Sequence, residues 1–165
     1  MEVFRLAGIL LSLLSLGLLG LALVSDSWLR SSDMPGSHGG LWKICVSKIC
    51  TLYPDNVPGF FHTTRFFLVL AMLAGCLASL ALGASFFCSH LCSASLTTVS
   101  TMSSFGAGLC VMIAMAVFTS GESQKVLPEI FAYSWSYSLG WLSFFLYLGT
   151  GAVTMLSRRS SYSQL

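Results

Sequence analysis

Between Arg5 and Asp26 the chain runs through twenty uncharged residues, mostly Leu, Gly, Ser and Ala. A helix needs about 20 apolar residues to cross a bilayer core, so this run predicts a first membrane span at roughly 6–25. A cleaved signal peptide, with Gly20 and Ala22 at its cleavage site, is the rival reading. Signal-peptide cores are usually about 7–15 residues long, and this run is longer. Residues 26–65 then form the longest polar stretch, broken by Pro35, Gly36, Gly39, Gly40, Pro54, Pro58 and Gly59 and closed by Arg65. From Phe66 to Gly121 there is no Asp, Glu, Lys or Arg. That run is too long for one crossing and suits two, with the break at the polar cluster Cys88-Ser89-His90-Leu91-Cys92-Ser93. The pattern therefore predicts spans at roughly 66–87 and 97–119, a second polar loop at 120–131 and a fourth span at 132–157. Arg158-Arg159 stops the last span, and 158–165 is left as a tail. The fold class this predicts is an all-α membrane protein, a bundle of four transmembrane helices in a single domain over 1–165.

One stretch of the first loop changes periodicity. In Lys43-Ile44-Cys45-Val46-Ser47-Lys48-Ile49-Cys50, two β-prone tripeptides flank the polar pair Ser47-Lys48. A two-residue turn there sets Val46 opposite Ile49 and Cys45 opposite Cys50. The pair behind the turn is then a non-hydrogen-bonded one, with Cα atoms about 4.5 Å apart and within disulfide range. Neither turn residue is Gly or Asn, the usual choices, but a cystine can hold the register. The alternative is two reduced cysteines in a loop.

Composition agrees with the pattern. The 165 residues are 55% hydrophobic and 8% charged, against about 25% charged in soluble domains. The net charge of +2 gives no reason to expect a nucleic-acid partner. Four spans put both termini on one side of the membrane and both larger loops on the other. Basic residues number three on the terminal side (Arg5, Arg158, Arg159) and five on the loop side (Arg30, Lys43, Lys48, Arg65, Lys125). That count mildly favours loops inside. A disulfide needs an oxidising compartment, and this decides for cytosolic termini.

Helices in lipid associate through close van der Waals contact between small residues. Ala71, Gly75, Ser79 and Gly83 make a small stripe on span two, and Gly106, Cys110 and Ala114 make one on span three. The two stripes are expected to face each other; a lateral face for a homo-oligomer is the alternative use. Tyr133, Trp135, Tyr137 and Trp141 are expected to mark the membrane–water interface. No span interior holds a carboxylate, Lys or Arg, which argues against a proton- or ion-coupled carrier. His38, His62 and His90 have no metal partner at ligand spacing. No catalytic constellation and no cofactor motif is present, so an enzyme is not expected.

Asp26, Trp28, Gly40-Leu41-Trp42, Cys45, Cys50 and Arg65, in that order, resemble the claudin and peripheral myelin protein superfamily. Ser134-Trp135-Ser136-Tyr137-Ser138-Leu139-Gly140-Trp141 resembles the branch with the lens fibre, epithelial membrane and natural killer cell granule proteins. Val99-Ser100-Thr101, the segment Met115-Ala116-Val117-Phe118-Thr119-Ser120 and a tail ending Tyr-x-x-Leu resemble its granule members most. The paired cysteines instead follow the lens and claudin pattern. The similarity spans most of the chain. It implies a left-handed four-helix bundle with a small extracellular antiparallel sheet built on the first loop. It also implies Trp28 and Trp42 packed with Leu41 where sheet meets bundle. Arg65 is then either a cap beneath them or a basic side chain reaching for lipid headgroups.

The same resemblance implies a non-enzymatic tetraspan protein of the cell membrane and of cytolytic-granule or lysosome-related membranes, supporting granule trafficking or exocytosis. The alternative it offers is a cell-junction protein acting through its first loop. A solute channel is conceivable only for an oligomer. Tyr162-Ser163-Gln164-Leu165 fits the motif that clathrin adaptors bind, and Ser163 with Leu165 and its carboxylate fits a PDZ ligand. Cys88 and Cys92 at the inner end of span two are candidates for palmitoylation. Arg158-Arg159-Ser160-Ser161 makes Ser161 a candidate for phosphorylation. Membrane lipid and other membrane proteins are the remaining expected partners.

Overall fold

The structure, a computed structural model, describes residues 2–88, 90–91, 94–125 and 131–163. Its elements follow as α1 (Glu2–Val24), β1 (Leu29–Ser31), β2 (His38–Gly39), β3 (Lys43–Val46), β4 (Ile49–Leu52) and α2 (Gly59–Ala84). They continue as β5 (His90–Leu91), β6 (Ala94–Ser95), α3 (Leu96–Lys125), β7 (Phe131–Tyr133) and α4 (Trp135–Ser163). Four helices are long and apolar enough to cross a membrane, at Glu2–Val24, Gly59–Ala84, Leu96–Gly121 and Trp135–Ser160. Their large apolar residues are extensively exposed, Leu10, Leu73, Leu80 and Leu109 among them, as a lipid-facing surface requires. β1 to β4 and β7 form one antiparallel sheet at the end of the bundle away from the termini, in the order β4-β3-β2-β1-β7.

Several elements depart from the expected pattern. α2 starts at Gly59, a full turn and more before Arg65, with Pro58 as its N-cap residue at φ −53 and ψ 143. α3 runs on through residues 120–125, where no proline stops it. β7, from the second loop, joins the sheet by pairing with β1 over Leu29↔Tyr133, Arg30↔Ala132 and Ser31↔Phe131. The sheet is therefore not a product of the first loop alone.

The interior is built from large side chains set into glycines. Tyr147 of α4 lies against Gly75 of α2, Phe60 of α2 against Gly121 of α3, Met115 of α3 against Gly140 of α4, and Phe105 of α3 against Gly151 of α4. This corrects the expected pairing of stripes. Gly75 faces α4 and Leu16 of α1 rather than α3, and Ser79 hydrogen-bonds Ser12 of α1 at 2.7 Å. Gly106 has no neighbour within 4 Å of where a Cβ would stand. Besides Phe60 at Gly121, α2 and α3 meet through hydroxyls: Ser100 Oγ donates to the Ala78 carbonyl at 3.0 Å, and Thr64 Oγ1 to that of Ala114 at 3.4 Å. Thr101 and Thr154 clasp α3 to α4 at 3.0 Å. A tyrosine fills a glycine groove with far more contact area than a second small residue would, and dispersion scales with that contact.

Tyr147 is fully buried, and its hydroxyl has no hydrogen-bond partner among the described residues. An unsatisfied buried hydroxyl costs about 1–3 kcal/mol. Tyr147→Phe is accordingly expected to stabilise the protein by about 1 kcal/mol, read as a rise of roughly 2–4 °C in the thermal midpoint of the detergent-solubilised protein.

Candidate functional site: the junction of sheet and helices

α1 ends at Val24, and the chain turns at Ser25 and Asp26 to enter the sheet. Gly40 comes back across this turn. A Cβ on Gly40 would collide with the Ser25 carbonyl oxygen and stand 2.6 Å from the Asp26 Cα. Both are backbone atoms, so the approach is open only to glycine. Gly40 N–H donates to the Lys43 carbonyl at 2.9 Å, tightening the loop that presents Leu41 and Trp42.

The two tryptophans then secure the last turn of α1, whose final carbonyls have no partner within the helix. Trp28, wholly buried, donates its indole N–H to the Ala22 carbonyl at 2.6 Å. Trp42 donates its own to the Leu23 carbonyl at 3.0 Å. Trp28 packs edge-on to Phe118 of α3, with ring centroids 5.0 Å apart, and to Tyr137 of α4 at 6.3 Å. Phe60 and Phe61 of α2 complete the cluster around Phe118. One indole thus touches the last turn of α1 and side chains from two other helices.

Arg65 locks the arrangement from α2. Its Nε donates to the Leu41 carbonyl at 2.7 Å and its Nη2 donates to the same oxygen. The guanidinium carbon sits 4.7 Å from the Trp42 ring centre and 5.9 Å from that of Phe61. Of the two expectations for this residue, the structure places the cap. Arg65→Lys removes the planar fork and the stacking face together. It is expected to cost about 1–2 kcal/mol, a fall of roughly 3–6 °C in thermal midpoint. An unchanged midpoint would make the contact incidental.

The hairpin beyond Trp42 has the register Val46↔Ile49 and Cys45↔Cys50, and the structure places a disulfide across the second pair with a Cα–Cα distance of 4.0 Å. Ser47 and Lys48 take φ of 50° and 74°, both left-handed, as a type I′ turn demands.

This arrangement of Trp28, Gly40-Leu41-Trp42, the cystine and Arg65 comes with a family-wide match. Residues 1–154 match the PMP-22/EMP/MP20/Claudin family. The chain belongs to that family. Relatives within it include Protein NKG7 of Mus musculus, 34% identical over 160 residues and covering 92% of this chain and 93% of the relative. Lens fiber membrane intrinsic protein of Homo sapiens is 30% identical over 155 residues, covering 86% and 84%. Claudin domain-containing protein 2 of Mus musculus is 34% identical over 137 residues, covering 82% and 75%. Four apolar spans in a family of this kind make the chain an integral, multi-pass membrane protein.

Several parts of this claudin-family junction carry no signal in the sequence motif. Ser25 of the α1 turn hydrogen-bonds Ser136 of α4 through their hydroxyls. Tyr137, expected at the lipid interface, turns inward and bonds Thr119 at 2.7 Å. Trp135 does stay exposed. A serine flanked by two aromatics at a helix start was the one available hint, since a small polar residue there invites close approach. Among the described residues no three His, Cys, Asp or Glu side chains gather where a metal ion could bind.

At the opposite end of the bundle, Arg5 of α1 donates to the Ser85 carbonyl at 3.4 Å and lies over Phe86 at 5.9 Å. Cys88 is exposed just beyond α2. Cys92, the side chain of Ser161 and the closing Gln164-Leu165 lie outside the described residues. Tyr162 and Ser163 are in the last turn of α4, where the Tyr162 ring lies 5.6 Å from the Arg158 guanidinium carbon. The tail expected at 158–165 is thus helical through Ser163, since nothing from Arg158 to Ser163 breaks a helix.

Proposed function

We propose that this protein is a non-enzymatic tetraspan component of cytolytic-granule or lysosome-related membranes, with cytosolic termini, that supports granule trafficking or exocytosis. The observation that carries the reading is the similarity to NKG7 of Mus musculus over 92% of the chain, taken with the granule-type motifs described above. A bundle whose interior is filled by packed side chains and hydroxyl clasps supports a structural part rather than a transport one. In this reading the disulfide-bearing sheet lies in the lumen and becomes extracellular when a granule fuses.

Tyr162 is the contact to the sorting machinery. An adaptor takes such a tyrosine in an extended strand, so binding needs the last turn of α4 to unwind, and Tyr162 at 60% exposure is accessible for it. Tyr162→Ala is expected to move a tagged protein from internal vesicles to the cell surface by at least about twofold in surface labelling. Cell-border localisation that is identical before and after the substitution would support the second reading, a junction protein. That reading is favoured by the exposed Val46, Ile49 and Leu52 on the hairpin, which offer an apolar surface to an opposed membrane's proteins.

A further inference from the structure

The sheet register lines up four side chains across four strands. Cys50 of β4 pairs with Cys45 of β3, Cys45 with His38 of β2, and His38 with Arg30 of β1. Directly opposed residues of antiparallel strands point to the same face with Cβ atoms about 4.5–5.5 Å apart, so cystine, imidazole and guanidinium form one row. Lys43, two residues before Cys45 on β3, belongs to the same face. β1 to β4 contain no Asp or Glu. The two sulfur-bearing residues are unequal: Cys50 is exposed, whereas Cys45 is 1% exposed.

We infer that the Cys45–Cys50 cystine is a thiol–disulfide exchange site whose substrate class is a dithiol, small or protein-borne, and not an inert staple. A thiolate of the dithiol attacks the Sγ of Cys50, the exposed residue of the pair. The new sulfur–sulfur bond forms there as the Cys45–Cys50 bond breaks, and the electron pair leaves on Cys45 Sγ. That thiolate emerges in the row that carries His38 and Arg30, within the field of Arg30 and Lys43. Cationic neighbours favour a thiolate, and a better leaving thiolate leaves faster. The second thiol of the dithiol then attacks its own sulfur in the mixed disulfide and releases Cys50 as a thiol. The dithiol ends as a disulfide, two electrons having passed to the protein.

Opening has a defined local consequence. Among the described residues β4 pairs only with β3, and all four of its residues are exposed. Its turn holds two non-glycine residues at positive φ, a conformation L-residues resist. With the cystine gone, β4 detaches while β1, β2, β3 and β7 keep their pairings, and the outer edge of the sheet passes from β4 to β3.

The test uses the full-length protein in lipid nanodiscs. A monothiol, glutathione, is added and trapped with N-ethylmaleimide, and the products are mapped by mass spectrometry. The expected result is glutathione on Cys50 and maleimide on Cys45; the reverse, or an even split, would overturn the assignment. With dithiothreitol, His38→Gln combined with Arg30→Gln is expected to slow reduction by about tenfold. An unchanged rate removes His38 and Arg30 from the site. After reduction, hydrogen exchange is expected to rise at 46–52 with residues 29–39 still protected, and trypsin is expected to cut after Lys48. Loss of protection across 29–46, or none at all, would refute the detachable strand. None of these readouts depends on where the protein resides, so they stand apart from the trafficking proposal.

Discussion

Gly40→Ala is expected to abolish the junction between sheet and bundle. The added Cβ would press on the Ser25 carbonyl oxygen and stand 2.6 Å from the Asp26 Cα, and backbone cannot rotate out of the way as a side chain end can. Relief requires the loop to lift, which pulls the Leu41 carbonyl from Arg65 and the Trp42 indole from the Leu23 carbonyl. The expected cost is about 3 kcal/mol, placing it among substitutions with a named steric cause. Size-exclusion profiles of the solubilised variant should show aggregated or unfolded protein, and cell imaging should show retention where it is synthesised. Gly59→Ala is the control. Nothing lies within 4 Å of the position its Cβ would take, and alanine is the better helix former, so this variant should match or slightly exceed the parent. Equal behaviour of the two variants would remove the steric account of the Gly-Leu-Trp motif.

The second large effect is expected at Trp28. Its ring is fully buried, touches Phe118 and Tyr137, and carries the hydrogen bond to the Ala22 carbonyl. Trp28→Ala opens a cavity where α1, α3 and α4 meet the sheet, at a cost of about 3–5 kcal/mol. Trp28→Phe keeps much of the volume and loses the N–H donor, so it should fall between, nearer the parent. Trp42→Ala should cost less than Trp28→Ala, since Trp42 is 39% exposed and its removal leaves the Arg65 hydrogen bonds to Leu41 in place. Thermal midpoints of the three variants in one detergent give the order directly. A larger loss from Trp42→Ala than from Trp28→Ala would show that the stacked arginine, and not the buried indole, holds the junction.

The spans and the hairpin were legible because both are local patterns. Uncharged runs give a crossing wherever they are long enough, and the register of Cys45 with Cys50 follows from counting outward from a two-residue turn. The β1–β7 pairing was not legible. It joins Leu29 to Tyr133, more than a hundred residues apart, through a three-residue strand too short to show alternation. Helix facing failed for a related reason. Spacing identifies which residues share a stripe but not which large side chain from another helix will fill it, and Gly75 found Tyr147. The helical course of the tail was not legible either: two arginines end an apolar run, but Arg and Ser are tolerated in a helix end that projects into water.

The β1–β7 pairing also fixes an order of events during synthesis. β1 to β4 have been synthesised when about a third of the chain exists, but the place beside β1 stays vacant until residues 131–133 have been made. Throughout the insertion of the second and third helices, the nascent protein carries an unguarded strand edge of the kind that recruits a neighbour's strand. Only arrival of the segment leading into the fourth helix closes it, so a chain truncated before Phe131 would present that edge permanently to the quality-control machinery.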